Sequence, residues 1–365
     1  MKRSGWVMRT IMAKSRLVLL VLLALFSLGR VGHVTADEPG SHFRYGTLSW
    51  APTSNPGEVK FSLKAGFRRS SNFCPPPCTA SLMGTIITET QGPTLFNFGD
   101  GNFTGTLLFL ITAESVAEDW VIGEALNPST TNIGILHTYS GAGPFTAYLS
   151  QNGVSPGCCR IGQAGFTGTP ALNNSAGGTY PLQTTVFPQS VNSSPVSTQV
   201  PIVVVPQSTT ATFTVPASDP NGDNIQFRLA TSAEAGSGTP LHPPGLSVNA
   251  TTGQVTWNNL TSGTMGAALD MTNFWTTQIV IEDLDSGGIV KTKTPVDFLL
   301  KIVQQVGNPP SCSINPTGPL TVSVGSPVSF TVTGTDPDAG ATVTLNSGGL
   351  PSGATMSPAL PSLDL

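Results

Sequence analysis

Charge, histidine and long apolar runs are all scarce in this chain. Only 10% of its 365 residues are Asp, Glu, Lys or Arg. No stretch beyond residue 36 carries the i, i+3, i+4 apolar spacing of an amphipathic helix, so a helical fold is not expected. No second hydrophobic segment follows those first 36 residues, and the remainder is expected to be soluble or attached by other means. Past that point the histidines are His42, His137 and His242, scattered and without the His-Glu-x-x-His spacing of a zinc hydrolase. The EF-hand loop with its closing Glu is missing as well.

Glycine and proline are abundant instead, at 40 and 31 residues. Both break helices and punctuate turns, and with frequent Thr, Val and Ser they favour many short strands. The length allows two or three domains, each able to bury a core. Residues 1–36 read as an export signal. Lys2, Arg3, Arg9, Lys14 and Arg16 precede an apolar core from Leu17 to Leu28, and Val34-Thr35-Ala36 is a small-residue cleavage site. That core is about a dozen residues, short of the roughly 20 that cross a bilayer, which favours cleavage over an uncleaved anchor. The leader holds six of the 16 basic residues and none of the 20 acidic ones, so ten against twenty remain and the mature net charge is −10. Such a surface repels nucleic acid and anionic membranes and suits divalent cations.

The stretch from Thr212 to Trp257 organises the rest. Alternation at Thr212–Val215 and Ile225–Ala230 predicts two strands around an acid-lined turn. Leu246–Val248 and Gln254–Trp257 predict a hairpin closed by Asn249-Ala250-Thr251-Thr252-Gly253, in which glycine supplies a positive φ. Strands at Ile202–Val205, Trp275–Glu282 and Lys291–Val303, the last broken by Pro295, bring the count to the seven or eight that one sandwich needs. Asp219-Pro220-Asn221-Gly222-Asp223, Pro244-Gly245-Leu246-Ser247 and Thr252-Gly253-Gln254-Val255-Thr256-Trp257 resemble the immunoglobulin-like repeats of bacterial surface proteins, of the cadherin-like superfamily. The resemblance implies an antiparallel β-sandwich over residues 197–304, with calcium held where such loops meet at a domain junction.

Residues 41–189 are expected to form the first domain, with strands at Tyr45–Trp50, Glu58–Phe67, Thr94–Phe98 and Thr104–Ala113. Phe98-Gly99-Asp100-Gly101 and the run from His137-Thr138-Tyr139 to Leu149 resemble the signatures of PKD-type β-sandwich repeats, with an insert around Glu118-Asp119-Trp120; a broader Ig-like variant fits as well. Val191–Val196 reads as a polar, proline-containing linker. Beyond it and the second domain, Val322–Val324, Ser329–Thr333, Asp336-Pro337-Asp338 and Leu350-Pro351-Ser352-Gly353 repeat the second domain's order. Residues 308–365 are therefore expected to be an incomplete Ig-like repeat, poorly ordered or part of a longer array. The expected fold class is all-β, a tandem of Ig-like or cadherin-like antiparallel sandwiches.

Cysteine use fits export. Cys74 and Cys78 flank three prolines, and Cys158 and Cys159 are adjacent. These four predict two disulfides of open connectivity in preference to a zinc site, because neighbouring cysteines rarely both reach one tetrahedral ion. Cys312 is left over.

Metal binding is the candidate chemistry, and Ca²⁺ the expected ion. Asp219 and Asp223 on one loop and Asp283 and Asp285 on another offer hard carboxylate oxygens; Asn221 adds a carbonyl, and Asp336 and Asp338 offer the same in the third unit. The Asp-Pro-Asn-Gly-Asp run equally suits an ordinary turn, since each residue favours turns for backbone reasons, and the sequence leaves both readings open.

No enzyme is expected. Gly153-Val154-Ser155-Pro156-Gly157 spells a serine-hydrolase motif, but the residue after the serine must donate an N–H to the oxyanion hole and Pro156 has none. Glu118 and Asp119 beside Trp120 are the residue types of a glycosidase, yet adjacent side chains on a strand point to opposite faces. Trp120 is kept as a candidate sugar platform, whereas Trp257 and Trp275 at strand ends are expected to be buried. Glycosylation sequons at Asn102, Asn173, Asn192, Asn249 and Asn259 matter only in a eukaryotic secretory host.

The chain thus reads as a secreted or surface-displayed, non-catalytic set of Ig-like modules for adhesion or display, with calcium stiffening the junctions. The expected partner is a protein or polysaccharide at the cell surface, with membrane or cell-wall attachment and no nucleic acid. The second reading is the ancillary carbohydrate-binding portion of an extracellular enzyme.

Overall fold

The computed structural model describes residues 33–36, 43–70, 80–89, 95–150, 172–174, 181–207, 210–235, 241–258, 274–303, 307–308, 310–317, 323, 325–341, 343–345, 355, 357 and 362–363. Cys74, Cys78, Cys158, Cys159, the Gly153–Gly157 motif and nearly all of the leader lie outside them.

The first domain contributes β1 His33–Ala36, β2 Phe43–Pro52, β3 Glu58–Arg68, β4 Ile86–Glu89, β5 Leu95–Asn97, β6 Leu108–Ser115, β7 Trp120–Ala125, β8 Ile135–Thr138, β9 Phe145–Ser150 and β10 Gln183–Val186. The second contributes β11 Val196–Ser197, β12 Ile202–Pro206, β13 Thr210–Thr214, β14 Ala217–Ser218, β15 Asn224–Leu229, β16 Leu246–Val248, β17 Gln254–Asn258, β18 Phe274–Leu284 and β19 Val290–Val303. One helical turn, Ser232–Ala235, interrupts this all-β pattern among the described residues. Downstream lie two hairpin pairs, β20 Ser311–Asn315 with β21 Thr331–Thr335, and β22 Thr344–Leu345 with β23 Ser362–Leu363.

Among the described strands, ladder pairing is antiparallel apart from β1 on β4 and β12 on β19, and an isolated parallel bridge joins Leu172 to Phe274. The expected cleavage region of the leader is thus strand β1, at the margin of the large sheet.

One sheet runs through both domains, in the order β1-β4-β6-β7-β3-β2-β19-β18-β15. Its midpoint is the ladder between β2 and β19, where Thr47 faces Val296 and Gly46 faces Asp297. Smaller sheets, β10-β9-β5 in the first domain and β13-β17-β16 in the second, form opposing layers.

The first core follows from the alternation of β3, which turns Val59, Phe61, Leu63, Ala65 and Phe67 inward. Phe61 meets Phe96 edge-on at 4.8 Å and Phe67 meets Phe109 at 5.3 Å, the tilted geometry that aromatic quadrupoles prefer. The second core centres on Trp257, which is fully buried and donates from Nε1 to the carbonyl of Pro244 at 3.0 Å. That bond ties the Pro244-Gly245-Leu246 run to the strand ending in Trp257, and explains why the two occur together. Gly253 turns the hairpin at φ +67°, and a Cβ there would lie 2.8 Å from the Phe227 ring.

Three features differ from the sequence expectation. The expected insert at Glu118–Trp120 is the turn of the β6–β7 hairpin, inside the main sheet. Pro295 does not break β19: the ladder to β2 covers only Val296 and Asp297, so the missing proline N–H falls just outside it.

The expected linker is the third. Asn192, Ser193 and Ser194 are buried. Ser194 N donates to the carbonyl of Trp50 at 2.9 Å and Trp50 N donates to Ser194 Oγ at 2.8 Å. Short polar side chains can complete the backbone bonds of a neighbouring strand, so the segment is strapped along β2 and is no free spacer.

Other contacts fuse the domains further. Tyr45 and Ile122 of the first domain belong to the second domain's core. Buried Arg44 lies 5.7 Å above the Phe274 ring and donates to the carbonyls of Glu118 and Asp119. In contrast, every residue of β20 is exposed, including Cys312 with a free thiol.

Candidate metal centre

The turn between β14 and β15 is built by Asp219. Its Oδ1 accepts from the backbone N–H of Asn221 at 2.8 Å and of Asp223 at 3.1 Å, and Gly222 takes φ +80°. These bonds fold the Asp-Pro-Asn-Gly-Asp run so that Asp219 and Asp223 lie side by side.

Asp283 arrives from β18 with no exposed surface. Its Oδ1 accepts from Thr292 N at 2.7 Å and its Oδ2 from Asn192 Nδ2 at 2.6 Å. The register then slips: Asp283 pairs with Thr292, but Leu284 pairs with Val290, which leaves Lys291 as the extra residue of a β-bulge. A bulge re-aims a side chain, and here the ammonium turns toward the carboxylates. Lys291 Nζ bonds Asp223 Oδ2, donates to Asn192 Oδ1 at 2.8 Å and lies 3.7 Å from Asp283 Oδ2.

Ligand oxygens of Asp219, Asp223 and Asp283 all lie within 4.8 Å of one another. Burial raises the pKa of Asp283 despite the bonds from Asn192 and Thr292 and the attraction of Lys291, and the charge of Asp219 adds to the rise. Burial opposes charge on Lys291 too, but the bond it donates to Asp223 and the attraction of the three carboxylates raise its pKa above the ordinary value. Three carboxylates face one ammonium, so acidic groups outnumber the basic one in the cluster. Among the described residues, Asp219 Oδ2 is a buried acceptor with no hydrogen-bond partner. The donor set therefore fits a hard cation. A cleft of about 250 Å³ lined by Trp50, Phe187, Ser190, Asn192, Val290 and Lys291 borders the cluster.

The other sequence candidates have partners of their own. Asn221 Oδ1 accepts from Ser193 N at 2.7 Å, so its carbonyl fastens the interdomain strap. Asp285 caps its own turn, accepting from Gly287 N and Ile289 N at 2.8 Å each. Asp338 holds Asn308 through its N–H and Nδ2, and Asp336 accepts from Asp338 N. Asn192 and Lys291 are the members sequence reasoning missed. Both reach the cluster through the strap and the bulge, and neither carries a local metal-binding motif.

Trp120 is half-buried and packs against both the second core and the small cluster of Ile202, Phe274 and Leu299, so its indole is committed to packing. Asp119 accepts from Ser70 N at 2.7 Å and pairs with Arg68, while Glu118 pairs with Lys301 at 3.1 Å. The two acids therefore serve different structural partners. His137 stacks on Phe98 at 3.8 Å and bonds Asp100 Oδ2 at 2.7 Å, joining the two first-domain signatures in one packed unit.

Residues 44–188 match the family model described as integrin beta-like protein A-E, N-terminal, and residues 196–319 match that of the second Ig-like domain of the same proteins. The Ig-like part of the sequence resemblance stands; its bacterial, cadherin-like and PKD parts are not shown by these matches. Integrin beta-like protein A of Dictyostelium discoideum is 28% identical over 282 residues, and integrin beta-like proteins B and C are 28% and 27% identical over 277 and 284 residues. Each alignment covers 75% of this chain and 12% of the relative, so the chain spans about an eighth of the length of the curated relatives it matches. No helix among the described residues is long and apolar enough to cross a membrane.

Proposed function

With two consecutive domains similar to the N-terminal and second Ig-like domains of the integrin beta-like proteins A-E, we propose that this chain is an extracellular, non-catalytic adhesion segment. Its two sandwiches act as one rigid body. The observation that carries the reading is the continuous sheet from β1 to β15, joined across the domains at Thr47–Val296 and Gly46–Asp297. A rigid pair holds its loops in fixed relation, which lowers the ordering cost of binding a partner at a surface.

A divalent cation, Ca²⁺ by its preference for carboxylate and carbonyl oxygen, is part of this proposal. Asp219, Asp223 and Asp283 would hold it, with Asn192 Oδ1 as a neutral ligand. When bound it supplies two positive charges that hold the β14–β15 turn, β18 and the interdomain strap together. Lys291, partly exposed on its bulge, would give up its place among the carboxylates and turn to solvent.

Beads carrying the chain, mixed with Dictyostelium discoideum cells in millimolar calcium, test the adhesion reading. Retention on cells above beads carrying an unrelated Ig-like domain, reduced by chelation, is the expected result. Retention equal to that control would overturn it.

A further inference from the structure

We infer that Asn102 and Asn249 carry N-linked glycans, and that Asn173 and Asn192, which have the same sequon spelling, do not. The inference rests on the extracellular reading above and on relatives from a eukaryote. Asn102-Phe103-Thr104 sits on the turn after β5, with Asn102 exposed and its Nδ2 making, among the described residues, a 3.2 Å surface bond to Asp100. Asn249-Ala250-Thr251 forms the tip of the β16–β17 hairpin. Asn249 is exposed, and its Oδ1 accepts from Thr251 N at 2.9 Å and Thr252 N at 3.0 Å, so the turn is built on the oxygen and not on Nδ2.

Asn192 and Asn173 differ in kind. Asn192 Nδ2 is the buried donor to Asp283 Oδ2, and Asn192 Oδ1 accepts from Lys291. Asn173 Nδ2 is buried as well. A sugar on either nitrogen and the folded domain junction exclude each other.

In the transfer, the asparagine Nδ2 attacks the anomeric carbon of an oligosaccharide carried on a lipid pyrophosphate. An N–C bond forms, the C–O bond to pyrophosphate breaks, the amide gives up one proton, and the lipid pyrophosphate leaves with the electron pair. A glycan at either exposed site is compatible with the fold, because neither nitrogen supports a buried group.

The test is expression of the whole chain with its own leader in Dictyostelium discoideum. Glycopeptide mass spectrometry is run on secreted and cell-associated protein, after enzymatic release in heavy-oxygen water to mark each occupied asparagine. Marked aspartate at positions 102 and 249, none at 173 or 192, and loss of one glycan each in Asn102→Gln and Asn249→Gln are expected. Secreted protein without sugar at 102 and 249, or with sugar at 173 or 192, overturns the inference and leaves the extracellular reading standing. Unglycosylated protein retained inside cells overturns both.

Discussion

Asn192 donates from Nδ2 to Oδ2 of Asp283 at 2.6 Å, and this bond crosses 91 residues of sequence to reach a carboxylate with no exposed surface. It fixes the segment between the domains to the second domain's central sheet. Asn192→Ala leaves a buried carboxylate oxygen without its donor, a loss of about 1–3 kcal/mol. A lowered urea midpoint with an unchanged slope is expected; an unchanged midpoint would mean the strap contributes nothing.

Because β2 and β19 pair directly, and because Tyr45 and Ile122 lie in the second domain's core, the two domains are expected to unfold together. Calorimetry of the chain should show one main transition, with van 't Hoff and calorimetric enthalpies equal. Two resolved main transitions would contradict a shared sheet.

In the first domain, Gly99 stands at φ +85°, and a Cβ there would lie 2.3 Å from the carbonyl oxygen of Thr146. Gly101 has φ +94°, and a Cβ there would meet nothing within 4 Å among the described residues. Gly99→Ala therefore meets both strain and a backbone clash, whereas Gly101→Ala meets strain alone, which costs of order 1–3 kcal/mol. Chemical denaturation of the two variants should rank Gly99→Ala as clearly the more damaging, and equal losses would refute the clash.

Acid should weaken the second domain through Glu234. Burial disfavours its charge, but bonds from Arg228 and Lys293 outweigh burial and hold the carboxyl well below the usual carboxylate range. A depressed folded pKa gives stability that is present above the unfolded value of 4.5 and is lost as pH falls below it. Glu234→Gln should be less stable at neutral pH and should lose less between pH 5 and lower values, as followed by thermal melts across pH. Parallel pH curves for variant and wild type would contradict the assignment.

Local features of this protein were legible in its sequence, and non-local ones were not. The Asp219 turn, the Gly253 hairpin and the buried Trp257 each depend on residues close in sequence, whose backbone preferences can be read directly. The fusion of the domains depends on β2 meeting β19, a pairing some 250 residues apart along the chain that no alternation pattern announces. Asn192 looked like linker because asparagine and serine suit loops, and the same short polar groups suit a buried strap equally well. Lys291 entered the acidic cluster through a one-residue slip in register, which a period-two pattern cannot show.

A thermal melt of the chain with and without millimolar calcium, read alongside Asp219→Asn and Asp285→Asn, tests the junction most directly. Asp219→Asn keeps the oxygen that builds the turn and removes the charge beside the unpartnered Oδ2, whereas Asp285 lies outside the cluster. Binding to the native state alone must raise its stability. A reversible rise in Tm for wild type and Asp285→Asn, lost in Asp219→Asn and on adding EGTA, is the predicted result. No rise in wild type, or an equal rise in all three proteins, would contradict a cation held between Asp219, Asp223 and Asp283.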